Sequence, residues 1–228
     1  MAGDRAWRES ETGMMLVAAL MAMLLVSALG AALILLTSSE TAIAANFRHS
    51  LAALYAADAA AEEALAEVAV VADWDALLTG RIRSRLTAGS PSGTRLVNGA
   101  LVDLSQLVAR SNCGKATTCS ASDMDAVTAE RPWGANNPRW QLYADGEIKE
   151  FVAGVELPLY VLVLVADDPS ETDGDPAADG SGSDNPGAGV LLLRAHAFGP
   201  RHAHKMIEIA IARNRDGRVR VLSWRELR

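Results

Sequence analysis

The sequence has few of the residues that catalysis, redox chemistry or nucleic-acid binding require. Its two cysteines, Cys113 and Cys119, are too few for a four-ligand zinc site and are not spaced as a CxxC redox pair. It contains no Gly-x-Ser-x-Gly nucleophile motif, no phosphate-binding glycine loop and no dinucleotide-binding fingerprint. Its net charge of -7 gives no basic surface for contacting phosphates. We therefore predict a protein that is not an enzyme and does not bind nucleic acid.

Charge is absent from residues 14–36, a segment of apolar and small side chains. A helix of that length spans about 30 Å, the thickness of the hydrocarbon core of a bilayer. The segment therefore predicts one transmembrane helix, although the flanking charges orient it poorly. The alternative is a cleavable secretory signal, for which Ala42-Ile43-Ala44 offers a cleavage site. Against that alternative, the apolar stretch is too long and the leader is not positively charged.

Glycine and proline are absent from residues 31–79, and alanine, the strongest helix former, dominates this stretch. We predict one continuous helix whose first half, residues 14–37, lies in the membrane and whose second half, residues 38–79, packs on a soluble domain. Apolar residues in the second half recur three to four positions apart, which gives it one face for packing. Gly80 is the predicted stop.

The C-terminal half has the pattern of an antiparallel sheet. Short alternating or β-branched runs begin at Trp140, and the Asp-Gly pairs at 145–146 and 216–217 are typical of hairpin turns. Alternate residues of the run at 207–211 share a face that could pack on the helix. Residues 80–228 are therefore predicted to be a globular region. The fold class is α+β, a long N-terminal helix packed on a C-terminal antiparallel sheet of about four or five strands.

Residues 81–130 show turn signals and one short apolar run, and they contain both cysteines. In an oxidising compartment, two thiols that close a short polar loop form a disulfide. We therefore predict a Cys113–Cys119 disulfide if the domain is exported. The alternative is two unrelated free thiols.

The segment from Glu150 to Leu193 has nine carboxylates and no lysine or arginine. In its acidic loop, residues 167–189, carboxylates alternate with glycine and proline, and calcium prefers six to eight oxygen ligands. The candidate calcium ligands are Asp167, Asp168, Asp173, Asp175 and Asp179, with Asp173 and Asp175 the first to test. The loop does not match the EF-hand pattern, because no glutamate occupies its twelfth position. The alternative is a solvated loop that binds no ion. The expectation is therefore either no cofactor or calcium bound at this loop.

Three histidines, His196, His202 and His204, lie close together in the chain and are a weaker candidate site for zinc or copper. Two of them follow Gly199-Pro200, a pair typical of an exposed turn, and the neighbouring basic residues would repel a cation. His196 is predicted to be a strand residue that faces solvent. Three tryptophans are predicted to be parts of the core: Trp133, Trp140 and Trp224.

The N-terminal residues resemble those of type IV pilins, most closely the PilX-like minor pilins. The similarity consists of a short hydrophilic leader, Gly13 at the junction, an apolar run from Met14, and the later stretch NFRHSLAALYAADAAAEEAL. In that stretch an asparagine is followed by an alanine-rich helix with acidic residues near its end. The runs YVLVLVADD and VLLLRAHAFGP are similar to the family's sheet, in a less specific way.

The resemblance implies that residues 1–13 are a leader peptide, that a prepilin peptidase cuts after Gly13, and that the new terminus at Met14 is methylated. Glycine suits such a site because an extended chain without a side chain can enter a narrow protease groove. The alternative is that Gly13 is only a flexible boundary before the helix. The resemblance also implies a single-pass inner-membrane protein with its globular region in the periplasm. Its N-terminal helix would join other minor pilins and the major pilin in the pilus.

One position departs from the pattern of the family. Major pilins carry glutamate at the fifth mature position, where its carboxylate neutralises a neighbouring amino terminus in the apolar filament core; here that position is Ala18. Because a buried, unpaired charge is costly, a subunit without this glutamate should not repeat along a fibre. PilX-like and GspK-like subunits often share the absence. We therefore expect a low-copy subunit at a priming or tip position, the alternative being that Ala18 reflects only a hydrophobic anchor.

Other functions stay open at this point. A minor pseudopilin of a type II secretion system would share the missing glutamate. A single-pass periplasmic ligand-binding or calcium-binding protein that is never assembled would keep an uncut N terminus, and its helix would end soon after the membrane. A membrane-anchored hydrolase using the acidic loop would need a rigid concave site.

Overall fold

The computed structural model describes residues 3–87, 89–97, 100–180 and 184–227. Internal contacts divide the chain into two units, Met1–Arg48 and His49–Arg228. Helix α1 (Gly3–Ala69) forms the described part of the first unit and is also the first helix of the second. The prediction of one long N-terminal helix is confirmed.

Helix α1 ends at Ala69, earlier than the predicted soluble half, which extended to residue 79. The guanidinium of Arg213, far along the chain, donates hydrogen bonds to the carbonyls of residues 71–72. The backbone that leaves the helix therefore has partners that the local sequence pattern does not reveal. A separate short helix, α2 (Asp75–Leu78), follows. Gly80 comes just after α2 and adopts a left-handed backbone with φ of 69°.

The region around the two cysteines folds into short elements: strands β1 (Thr94–Val97) and β2 (Ala100–Asp103), which pair antiparallel, and helices α3 (Leu104–Cys113) and α4 (Ala121–Asp125). Asp103 caps α3 by accepting a hydrogen bond from a backbone N–H of the first turn, at 3.0 Å. Ser120 begins α4 in a capping box with Asp123. Between the two helices, Cys113 and Cys119 form the predicted disulfide.

Five antiparallel strands form the main sheet, in the order of the chain: β3 (Gln141–Glu147), β4 (Tyr160–Asp167), β5 (Val190–Phe198), β6 (His204–Arg213) and β7 (Val219–Leu227). A short helix, α5 (Ile148–Phe151), connects β3 to β4. The predicted turn at Asp216-Gly217 joins β6 to β7, and Gly217 N donates to Asn214 O at 2.9 Å. The α+β fold class is confirmed.

One face of this sheet packs against α1. Alternate residues of β4 and β6 supply it, and all are at most 2 % exposed: Val161, Val163, Val165, Ile207, Ile209 and Ile211. The helix contributes a stripe spaced three or four residues apart: Ala53, Ala57, Ala60, Ala64 and Val68. These small side chains form the buried, apolar face of the helix that meets the sheet. The predicted contact between the run at 207–211 and the helix is confirmed.

The opposite face of the sheet packs against β1, β2 and α3. Leu162 and Leu164 of β4 are fully buried there, beside Leu104 of α3 and Trp140. Strand β4 is consequently buried at all 8 of its residues. A strand that is covered on both faces has no need for alternating polar residues, which explains the uninterrupted apolar run in this part of the sequence.

The predicted hairpin at Asp145-Gly146 is wrong, because β3 continues through both residues and α5 follows directly. Asp145 is fully buried and accepts a hydrogen bond from Tyr160 Oη on the adjacent strand at 2.6 Å. Arg95 of β1 also pairs with this carboxylate, at 3.3 Å. A Cβ at Gly146 would collide with the side chain of Glu150 in α5. In this pair, Asp145 therefore links neighbouring strands, and Gly146 lies close to the Glu150 side chain of α5.

Candidate functional site

The apolar part of α1 is exposed on every side. None of its most apolar 18-residue stretch is buried. Met14, Leu24 and Ile34, which point in different directions around the helix, are 71 %, 70 % and 72 % exposed. A helix that is apolar all round requires lipid or other apolar helices as its surroundings. This helix is long and apolar enough to span a membrane.

The hydroxyl groups at the end of the apolar segment donate hydrogen bonds to backbone carbonyls of the same helix. Thr37 Oγ1 donates to Leu33 O at 2.9 Å, and Thr41 Oγ1 donates to Thr37 O at 2.8 Å. Ser38 and Ser39 donate in the same way to carbonyls three residues earlier. A hydroxyl that is bonded within its own helix does not require water. This end of the segment can therefore lie in lipid or between helices.

Two glycines of α1, Gly13 and Gly30, have no packing role among the described residues. A Cβ at either position would meet no atom within 4 Å outside the local helix backbone. Glycine costs about 1 kcal/mol relative to alanine inside a helix, so a glycine that packing does not require calls for another explanation. The processing site at Gly13 and Met14 stays a prediction, and the open surroundings of Gly13 are compatible with it.

A second site lies where β4 ends and the acidic loop begins. Asp167, Glu171 and Asp179 each place one carboxylate oxygen within 4.8 Å of the other two. We call these three residues the carboxylate cluster. Asp167 and Glu171 are only 3 % and 2 % exposed. Among the described residues, no lysine or arginine forms an ion pair with any member.

Backbone and amide N–H groups hold the carboxylate cluster in place. Gly180 N donates to both oxygens of Glu171, at 3.2 and 3.0 Å, and Asn185 Nδ2 donates to Glu171 Oε2 at 3.0 Å. Gly189 N donates to Asp179 Oδ1 at 2.6 Å. By contrast, Asp167 Oδ1 is buried and has no hydrogen-bond partner in the described part of the chain. A buried acceptor without a partner is unusual in a folded protein and calls for an explanation.

Burial shifts the titration of the whole carboxylate cluster. Desolvation raises the pKa of Asp167 to about 9, and the negative charge of Glu171 adds to the shift. Desolvation is also the main cause of the raised pKa of Glu171 and of Asp179. Asp173 contributes further repulsion to Asp167 and Glu171. Three carboxyl groups in this position cannot all be ionised unless protons or a cation offset their charge.

The structure brings together two of the five predicted calcium ligands, Asp167 and Asp179. The other three lie outside the carboxylate cluster: Asp168, Asp173 and Asp175. Asp173 and Asp175, expected to be the first ligands, are exposed, and the Oδ1 atom of each accepts a backbone N–H two residues later. Glu171 was not among the predicted ligands. Its place in an acidic stretch was visible, but its burial depends on the glycines at 180 and 187, where a Cβ would collide with it.

The histidines form a pair rather than a triad. His196 Nδ1 lies 3.2 Å from His204 Nε2, whereas His202 is exposed in a turn (Pro200–His202). His196 is 4 % exposed, so its prediction as a solvent-facing residue is wrong. Its ring stacks near Phe198 on the sheet face covered by β1, β2 and α3. Burial lowers the pKa of His196 to about 3, with His204 and Arg194 adding to the shift.

A buried glutamate organises the same sheet face near its edge. Glu208, 3 % exposed, accepts hydrogen bonds from the guanidinium groups of Arg194 and Arg225. Arg194 also stacks on the ring of Trp140, with 3.9 Å from Cζ to the ring centroid. These four residues line a cavity of about 410 Å³. Of the three tryptophans predicted to be partly in the core, Trp140 is fully buried, and Trp133 and Trp224 are 52 % and 47 % exposed.

Over the residues that the structure describes, the molecule is thus an α+β protein with one helix that can span a membrane, one disulfide and one buried carboxylate cluster. The chain matches no family model, no curated protein and no solved structure. The residues and their geometry are therefore the basis of the functional argument.

Proposed function

We propose that the protein is a non-enzymatic minor pilin that takes part in type IV pilus assembly at a priming or tip position. One observation carries the proposal. A single helix, α1, contains both the exposed apolar segment and the alanine stripe that packs on the sheet. A subunit of this kind could leave the membrane without losing its fold, because the stripe holds the soluble domain while the apolar segment changes its surroundings.

The chemistry of assembly in this proposal is helix packing. Leaving lipid for a bundle of other apolar helices does not strand the hydroxyls of Thr37, Ser38, Ser39 and Thr41, because all four are bonded within the helix. Lipid and protein interiors are similarly apolar, so van der Waals packing between helices favours the bundle. In this account the partners are the other minor pilins and the major pilin. The protein starts in the inner membrane with its globular region in the periplasm.

The priming or tip position follows from the absence of a charge near the mature terminus. Residues 14–36 contain no ionisable side chain, and the fifth position after Gly13 is Ala18. This subunit therefore offers no carboxylate to a neighbour's amino terminus inside an apolar filament. An uncompensated ammonium group in such surroundings costs several kcal/mol, which disfavours repeated use of the subunit along a shaft.

Mass spectrometry of the mature N terminus tests the proposal. We expect the chain to begin at a methylated Met14 after a prepilin peptidase removes residues 1–13. The Gly13→Leu variant should keep Met1, because a large side chain would block the protease groove. Gly30→Leu is the matched control and should be trimmed like the wild type, since position 30 also has room for a side chain.

Other termini would point to other functions. An intact Met1 in the wild-type chain would favour a simple membrane anchor, and a terminus just after Ala44 would favour a secretory signal. A third outcome is a chain trimmed to begin at Met14, together with a deletion strain that lacks protein secretion but keeps its surface filaments. That result would favour a minor pseudopilin of a type II secretion system. Each of these results would overturn the pilus proposal.

A further inference from the structure

We propose that the carboxylate cluster, Asp167, Glu171 and Asp179, is a calcium-binding site that fastens the acidic loop to the globular domain. The site is independent of the pilus proposal, because all three residues belong to the unit His49–Arg228. It also differs from the ligand set expected from the sequence. Glu171 joins it, and the exposed Asp173 and Asp175 are not members.

A cation explains what the carboxylate cluster otherwise lacks. Acidic groups often lie close together on a protein surface, but Asp167 is buried, with only 3 % of its surface exposed. Its Oδ1 atom has no hydrogen-bond donor in the described chain. Leaving a charged acceptor buried without a partner costs more than a typical hydrogen bond contributes. A bound cation would supply the missing partner and offset the mutual repulsion of the three carboxylates.

The surrounding charges are mostly negative. Asp75 of α2 and Asp173 of the loop repel members of the carboxylate cluster, and Arg213 is the one cation that attracts Asp179 among the described residues. The guanidinium of Arg213 is already engaged, since it donates to backbone carbonyls and stacks on Trp74 at 4.0 Å. The protein therefore has a local excess of negative charge that an external cation can neutralise.

The ligand atoms favour calcium over other metals. The three side chains offer only oxygens, with one oxygen from each carboxylate within 4.8 Å of the others. Calcium takes six to eight oxygens in flexible arrangements and accepts backbone carbonyls and waters beside carboxylates. Zinc and copper prefer imidazole or thiolate, and the three cluster residues have neither. Magnesium requires near-ideal octahedral geometry and keeps several waters, which suits a buried site poorly.

The loop is folded around Glu171 in a way that prepares the site. A Cβ at Gly187 would collide with Cγ of Glu171 and lie 2.8 Å from its backbone N, so only glycine lets the backbone close over Glu171 there. A Cβ at Gly180 would displace the carboxylate end of Glu171. Asp179 is fixed from both sides. Its N–H donates to Asp75 Oδ1 at 2.8 Å, and its own Oδ1 accepts from Gly189 N at 2.6 Å. A bound ion would therefore link the end of β4, the start of β5 and α2.

Calorimetric titration of calcium into the full-length chain in detergent micelles, after treatment with EDTA, tests this inference. We expect saturable binding to one site with Kd of about 1 mM or tighter, as in extracellular calcium modules, and weaker binding of magnesium. Loss of an outer-shell partner already weakens metal binding about 10–100-fold, so Glu171→Gln should weaken it at least about tenfold. Asp175→Asn removes an exposed charge from the same loop and should leave Kd within about twofold.

The Asp167→Asn variant is a second test of the site, which is needed if Glu171→Gln fails to fold. It replaces a buried carboxylate whose Oδ1 atom has no hydrogen-bond partner among the described residues by a neutral side chain of the same shape, so the EDTA-treated chain should unfold at the wild-type temperature or above. Its calcium binding should nevertheless weaken at least about tenfold.

Two results would overturn the inference. One is the absence of saturable calcium binding by the wild-type chain up to about 10 mM, well above the weakest extracellular modules. The other is an equal loss of binding in Asp175→Asn and Asp167→Asn. The Gly13→Leu chain should bind calcium like the wild type, so failure of the calcium site and failure of the pilus proposal give different patterns.

Discussion

Replacing Ala60 by leucine tests whether the alanine stripe of α1 sets the distance between helix and sheet. Ala60 is fully buried at the centre of the stripe, against the sheet face that includes Val163 and Ile209. A leucine side chain adds three carbon atoms at a position that is already closed to solvent. The helix must then move outward, or neighbouring side chains must leave their preferred rotamers.

The expected cost follows from the burial and from the size of the unit. Overpacking a well-packed core costs about 1–3 kcal/mol of unfolding free energy. For a unit of about 180 residues, each kcal/mol lowers the melting temperature by about 2–4 °C. The Ala60→Leu variant should therefore melt roughly 2–12 °C below the wild type. The difference in helix propensity between alanine and leucine is too small to matter.

Circular dichroism of the full-length chain in micelles measures this change, with Ala66→Leu as the matched control. Ala66 is exposed on the same helix, so the same substitution there should change the stability by no more than about 0.5 kcal/mol. Equal melting temperatures for the two variants would refute the account, because they would show that Ala60 is not packed against the strands.

Two further predictions concern the opposite face of the sheet. Glu208→Gln should destabilise the fold by about 3 kcal/mol in chemical denaturation, because it leaves the mostly buried Arg194 without its counter-charge. His196→Gln should flatten the acid limb of a stability–pH profile. Folding lowers the pKa of His196 to about 3, from the ordinary value of 6.5. Between these two pH values only the unfolded chain binds the additional proton. The free energy of unfolding of the wild type therefore falls as the pH drops below 6.5, by up to about 1.4 kcal/mol per pH unit.

Each of these two variants has an internal control. Arg225→Gln removes the more exposed partner of Glu208 and should cost less than about 1 kcal/mol, so a loss equal to that of Glu208→Gln would contradict the argument. His202→Gln alters an exposed histidine and should leave the pH profile unchanged. If His196→Gln kept the same acid limb as the wild type, the burial of His196 would not be its cause.

The long helix and the sheet could be predicted because both follow from local rules. The alanine-rich run without glycine or proline between residues 31 and 79 specifies helix over most of its length. Alternation in the run at 207–211 specifies a strand with one buried face. The segment predicted as helix extended to residue 79, whereas α1 ends at Ala69, and Arg213 satisfies carbonyls at residues 71–72 from far along the chain.

Two errors in the sheet, the hairpin predicted at Asp145-Gly146 and the solvent exposure predicted for His196, share one physical cause, which is a second packing layer that the sequence did not reveal. Strands β1 and β2 with α3 cover the sheet face that would otherwise meet solvent. That cover buries His196 and supplies Arg95 as a partner for Asp145, so an Asp-Gly pair that is typical of a turn lies inside a strand. Contacts between residues so far apart in the chain cannot be inferred from short-range patterns.

The carboxylate cluster was predictable in part. The excess of carboxylates between residues 167 and 189 indicated a cation site. Their order along the loop did not show which would be buried, because exposure there depends on how the backbone folds over Glu171 at Gly180 and Gly187. For this reason the exposed Asp173 and Asp175 were predicted as the first ligands, and the buried Glu171 was not predicted as a ligand.

Quantitative mass spectrometry of filaments sheared from cells tests the central claim most directly. The account predicts a trimmed chain that begins at Met14, present in the filaments at low copy number relative to the major subunit. The chain should disappear from filaments of the Gly13→Leu strain and remain in those of the Gly30→Leu strain. Filaments that lack the chain, while the intact protein accumulates in the membrane, would contradict the claim that this helix exchanges lipid for neighbouring subunits.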